Sequence, residues 1–181
     1  KPDHKGNPID DMNAGYMSSN VKAPVKDGGG ADMAKVKDAP DMKDAMKKIN
    51  ATYGMKKENN GRYLQTKPGS LEEAVLVSRG HECAHHQTGD IDRPHPPRNS
   101  PDHMMNESIA DCIAILRMRD ETTDSQTRIK NVTHVLRQAM DAVGFPPSTI
   151  HSRISNIDYC AQKDSTAAEF IKAVLDHRAA N

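Results

Sequence analysis

The sequence predicts a mainly α protein, or an α+β protein with a small edge sheet. Aromatic residues make up only 3% of the 181 residues, Trp is absent, and ten Met join the Ala, Val, Ile and Leu that must build a core. Ala, Leu and Met favour helices, whereas a large sheet draws on β-branched and aromatic side chains. Apolar residues also recur at helical spacing in segments from Met42 to Leu175, and a single short run, 62–66, reads as a strand. The length fits one domain.

Residues 1–30 are polar and interrupted by Pro2, Pro8, Pro24 and Gly28-Gly29-Gly30, so a flexible or surface-wrapping N-terminal segment is expected, with a single domain over 31–181. Residues 41–49 follow Pro40 with Met42, Ala45, Met46 and Ile49 on one side, a short amphipathic helix. Turn signals at Asn59-Asn60-Gly61 and Pro68-Gly69 flank Arg62-Tyr63-Leu64-Gln65-Thr66, the expected edge strand. Ser70-Leu71-Glu72-Glu73 has the form of a capping box and opens a helix that runs to Gln87. Gly80 inside it costs about 1 kcal/mol against Ala, which points to close approach of another backbone.

A Gly- and Pro-rich loop over 88–101 reverses the chain. Ser100-Pro101-Asp102 then starts a helix with Met105, Ile109, Cys112, Ile113 and Leu116 at core spacing. Three further helices are expected over 127–143, 148–159 and 165–178. The first carries the stripe Val132, Val135, Leu136, Ala139 and Val143, and the last carries Ala168, Ile171, Val174 and Leu175.

Lys+Arg and Asp+Glu are balanced at 25 each, so no basic field draws nucleic acid or an anionic membrane. No apolar run reaches the roughly 20 residues of a membrane helix. Three Cys do not make a secreted disulfide framework; Cys83, Cys112 and Cys160 are expected as reduced, buried thiols. A cytoplasmic working environment follows from that reading, with a secreted or injected effector as the alternative. No oligomeric state is implied.

The functional signal lies in V-L-V-S-R-G-H-E-C-A-H-H-Q, residues 75–87, which contains the HExxH pattern His81-Glu82-Cys83-Ala84-His85. On a helix, residues four apart share a face, so His81 and His85 can present two imidazole nitrogens to one metal ion. Two neutral imidazoles suit tetrahedral zinc, and Glu82 beside them can take a proton from a water at the metal. For a third ligand the loop and the start of the next helix offer His95 and His103, either of which reaches the metal if the loop folds inward. Glu107 and Asp111 are four apart and can point at the same place. The longer pattern H-E-x-x-H-x-x-G-x-x-H fails, with Thr at 88 and Ile at 91. His86 faces about 100° away from His85 around the helix.

Together, His81-Glu82-x-x-His85 and Asn106-Glu107-x-x-Ala110-Asp111 resemble the zinc metallopeptidases called gluzincins, over roughly residues 75–116. The resemblance implies a zincin-like metallopeptidase domain with a helical C-terminal part. It implies one Zn2+ per chain held by His81, His85 and Glu107, Glu82 as general base, and Asp111 as an acceptor behind a ligand histidine, with Asn106 alongside. It also implies an oxyanion-stabilising His or Tyr outside the motifs, for which His134, His151 and Tyr159 are the candidates. The expected function is a zinc-dependent endopeptidase acting on a protein or peptide substrate. The alternative is a non-catalytic zinc-binding or helical protein-interaction domain.

Overall fold

The computed structural model describes residues 62–98, 100–142 and 144–180. The N-terminal segment 1–30, the helix 41–49, the Asn59-Asn60-Gly61 turn and Val143 lie outside the described residues. Within them the chain forms α1 (Leu71–Gln87), α2 (Pro101–Glu121), α3 (Ser125–Ala142), α4 (Pro147–Ala161) and α5 (Ala167–Ala180), with short 3-10 turns at Tyr63–Gln65 and Asp90–Asp92. The mainly α expectation holds, and no strand occurs among the described residues.

The expected edge strand is therefore replaced by a turn, and burial of one ring explains it. Tyr63 is 3% exposed and its hydroxyl donates to the Leu76 carbonyl at 2.8 Å. Pulling that ring under α1 bends the backbone, so the Thr66 N–H closes onto the Tyr63 carbonyl at 3.0 Å. The capping box also departs from expectation. Ser70 is the N-cap by position but makes no side-chain cap bond, and the Glu73 carboxylate accepts from the Gly69 N–H at 2.9 Å. Arg128 of α3 draws Glu73 away: its guanidinium donates to Glu73 Oε1 at 2.7 Å, to the Tyr63 carbonyl at 2.7 Å and to Thr66 Oγ1 at 2.9 Å. Burial pushes the Glu73 carboxyl pKa up, and the Gly69 N–H and Arg128 pull it back.

The helix at the centre is α2, which touches each of the other four helices. Its residues from Ser108 to Leu116 are buried without interruption, so it is enclosed all round rather than on one stripe, with Asp111 among them. Its start is as predicted, with Pro101 in the first turn and the Ser100 side chain accepting from the His103 N–H. One core, built on Val77, Ala114, Met118, Val132 and Ile157, lies toward α3 and α4. A second, built on Ala84, Ile113, Leu116, Phe170 and Val174, lies toward α5. On α5 the buried face is Ala167, Phe170 and Val174, whereas Ala168 is exposed and Leu175 is 43% exposed. Phe170 is fully buried, and seating this large ring rotates the helix away from the expected Ala168–Leu175 stripe.

The cysteines are redistributed. Cys112 on α2 and Cys160 on α4 are fully buried as expected, but they are joined as a disulfide across 48 residues rather than reduced. Helix packing that brings their Cα atoms to 5.3 Å, not sequence spacing, creates the pair. Cys83, expected to be buried, is exposed and free, because the inward face of α1 at that level is taken by Ala84 and His81.

Gly80 has the close approach predicted for it. A Cβ there would stand 3.1 Å from the Tyr63 hydroxyl and 3.2 Å from the Ala114 Cβ, so the missing side chain lets α1 and α2 come together just before His81. Both neighbours are fixed, Tyr63 by its bond to Leu76 and Ala114 by its place in α2. Gly80→Val should therefore lower unfolding free energy by about 2 kcal/mol despite removing a helix glycine, as measured by urea unfolding.

Candidate metal centre

His81 and His85 leave α1 on one face, and their Nε2 atoms stand 3.2 Å apart. Glu107, on the second turn of α2, faces both. Its Oε2 is 3.1 Å from His81 Nε2 and its Oε1 is 3.4 Å from His85 Nε2. The second nitrogen of each ring is also engaged: His81 Nδ1 lies 2.8 Å from Asp111 Oδ1, and His85 Nδ1 lies 2.8 Å from Asp90 Oδ2. An ionised carboxylate only accepts, so each Nδ1 carries a proton and each ring turns its Nε2 inward. When both rings are neutral, two lone pairs and the Glu107 carboxylate converge on one point.

Such a constellation suits a cation. Tetrahedral ligands at zinc distances lie about 3.3–3.4 Å from one another, close to the observed 3.1, 3.2 and 3.4 Å. The group formed by His81, His85 and Glu107 can thus hold a metal ion. A proton competes for the same lone pairs: burial pulls the His81 pKa down, but its hydrogen bonds to Asp111 and Glu107 carry it up to about 9.

Behind each histidine the carboxylate is held by an arginine. Arg153 of α4 grips Asp111 with two bonds, Nε to Oδ2 at 2.8 Å and Nη2 to Oδ1 at 2.9 Å. Burial works against the Asp111 charge, yet Arg153 and His81 hold its carboxyl far below the usual range. Asp90 receives Arg178 of α5 at 2.5 Å and Arg93 at 3.1 Å. Its pKa, which burial alone would raise, falls to about 2 through His85 and these arginines. The turn that returns Asp90 to His85 begins at Gly89, whose φ of +75° is the left-handed conformation glycine adopts freely.

Asp90, Arg153 and Arg178 were not anticipated from sequence. Asp90 alone left a signal there, an acid following a turn-forming Gly a few residues past His85. The arginines come from helices 42 and 88 residues away from their carboxylates and left none.

Of the three ligands, His85 and Glu107 open onto a cleft of about 300 Å³ that Glu82, His86, His95, His103 and Asn106 also line, while His81 is buried behind them. Glu82 is exposed within it. Asn106 accepts from Arg178 at 2.9 Å, so it supports Asp90 through that arginine. The rival ligands His95 and His103 both line the cleft outside the converging group, His103 Nε2 lying 3.8 Å from Glu107 Oε1. Of the three oxyanion candidates, none lines it. His134 is exposed and bonded to Gln138 at 3.2 Å, His151 is exposed, and Tyr159 packs against the second core with Lys163 over its ring. His86, turned away from His85 around the helix, is exposed and lines the cleft.

No family model, curated protein or solved structure matches the chain. The geometry of the site therefore carries the functional argument.

Asp90 links this geometry to pH. Its carboxyl falls from an ordinary 3.8 to about 2 on folding, a contribution of about 2 kcal/mol that is complete above pH 4 and lost as pH falls toward 2. Asp90→Asn should remove that contribution at neutral pH and flatten the acid limb of the metal-free protein between about pH 4 and 2, read by urea unfolding across pH.

Proposed function

We propose that the chain is a zinc-dependent endopeptidase on a zincin-like domain. The observation that carries this reading is the convergence of two carboxylate-oriented imidazoles and Glu107 beside an open cleft that contains Glu82. Two nitrogen ligands and one carboxylate at tetrahedral spacing suit zinc, and three protein ligands leave a position open as catalytic zinc sites do. A zinc held by His81, His85 and Glu107 would supply Lewis acidity for a substrate carbonyl and for water.

The chain's own residues have separate tasks. Asp111 and Asp90 hold each Nδ1–H, so both Nε2 atoms face the metal position and bind there once a metal displaces any second proton. Glu82 is the one cleft carboxylate that no hydrogen bond or ion pair commits among the described residues. It takes the proton from the attacking water and delivers it to the leaving amine. The buried Cys112–Cys160 disulfide favours an oxidising compartment over a cytoplasmic one. The balanced charge supports a peptide rather than a nucleic-acid partner, and no helix among the described residues is long and apolar enough to cross a membrane.

A second reading, a closed zinc site without catalysis, draws on His103, which is near enough to Glu107 to complete a four-ligand set by a small side-chain movement.

Zinc analysis paired with a peptide-library cleavage assay separates the two. Glu82→Gln should retain about one zinc per chain while cleavage falls by about 10²–10⁴-fold. His85→Ala should lose both metal and cleavage. Undiminished cleavage by Glu82→Gln rules out the peptidase mechanism. Zinc that is bound without any wild-type cleavage, and whose release requires removal of His103, supports the closed site.

A further inference from the structure

The body of α5 is fixed by ordinary packing. Phe170 and Val174 are fully buried in the second core, and the Ala167 N–H donates to Asp120 Oδ2 at 2.8 Å. Arg119 secures the connection before it through the Ala161, Lys163 and Ser165 carbonyls. From the last turn, however, Arg178 reaches back toward the cleft, with its side chain only 13% exposed. It donates to the Thr88 carbonyl at 2.7 Å, to Asp90 Oδ1 at 2.5 Å and to Asn106 Oδ1 at 2.9 Å. Those acceptors belong to the C-cap of the helix carrying His85, to the turn that orients His85, and to the residue beside Glu107.

We infer that Arg178 is a positioning residue for the metal centre, and that docking of the last turn of α5 and metal binding at His85 and Glu107 are thermodynamically linked. The inference rests on the metal reading of the site. Without Arg178, the one arginine left on Asp90 among the described residues is Arg93, which is 46% exposed, so the carboxylate can turn and take the His85 ring with it. Asn106 loses its partner at the same time, loosening α2 beside Glu107. His81 is unaffected by this route, because its carboxylate is held by Arg153 of α4. Linkage is reciprocal: a metal that fixes His85 fixes Asp90, and Asp90 in turn holds Arg178. A lysine keeps the charge but lacks the planar fork that serves three acceptors at once.

The test uses the full chain and zinc alone. Zinc affinity is measured by competition with a chromophoric chelator, and amide hydrogen exchange is followed in the last two turns of α5. Arg178→Gln should bind zinc about 10–100-fold more weakly, with Arg178→Lys between it and wild type. Val174→Ala, which loosens the packing of α5 without touching Asp90, should lose stability but keep near wild-type affinity. Zinc should slow exchange in α5 of the wild type and not of Arg178→Gln. Equal zinc affinity in Arg178→Gln and wild type, or an equal loss in Val174→Ala, overturns the inference while leaving the metal site intact. If Arg178→Gln does not fold, Arg178→Lys decides, and wild-type affinity in that variant overturns the inference. A wild-type protein that binds no zinc overturns the metal reading and this inference with it.

Discussion

Asp111 keeps a negative charge at 4% exposure in the middle of the most buried helix of the fold. A lone carboxylate in such a place costs several kcal/mol of lost hydration, so its surroundings have to answer it. They do so from two sides: Arg153 takes both oxygens in a forked grip, and His81 adds its Nδ1–H. The first contact specifies how α4 lies against α2. The second specifies which nitrogen of His81 is left for a ligand. A single buried charge thus couples the packing of the bundle to the chemistry of the cleft.

The same solution recurs on each helix that follows α2. Arg128 of α3 answers Glu73 on α1, Arg153 of α4 answers Asp111 on α2, and Arg178 of α5 answers Asp90 on the turn between them. Buried ion pairs of this kind contribute little net stability once desolvation is counted. The two apolar clusters are the main source of stability, with the Cys112–Cys160 link adding to it. What the pairs add is selectivity of arrangement, because a helix that slips by one turn leaves a carboxylate buried and unpaired. Of the three pairs, two end at histidines of the candidate centre. Precision is most needed there, since ligand atoms must stay near a common point.

The legible parts of the sequence were those governed by local physics. Helical periodicity located all five described helices, the Ser100-Pro101 start was correct, and Gly80 announced a close approach whose partner proved to be Ala114 and Tyr63. Helix geometry made the pairs His81/His85 and Glu107/Asp111 legible, since residues four apart share a face, and the resemblance to gluzincins brought the two pairs to one site. The failures all involve tertiary contacts. Tyr63 left the strand pattern to bury its ring, Glu73 left its capping role for Arg128, Phe170 reset the buried face of α5, and Cys112 met Cys160 across 48 residues. Arg153 and Arg178 were invisible for the same reason, since an arginine on a predicted surface helix reads as solvated until a carboxylate is found in front of it.

Commitment of the charged groups also separates support from chemistry within the cleft. Asp90, Asp111 and Glu107 have partners at hydrogen-bonding distance, and each has its charged form favoured by those partners, as their lowered pKa values express. Groups held so firmly ionised make good ligands and good anchors but poor proton carriers. Glu82 shares the cleft, is exposed, and is tied to no partner among the described residues. A residue that must accept a proton and then give it up needs that freedom. The division between three bound carboxylates and one unbound carboxylate is therefore a physical reason, independent of the HExxH spacing, to place the proposed proton transfer on Glu82.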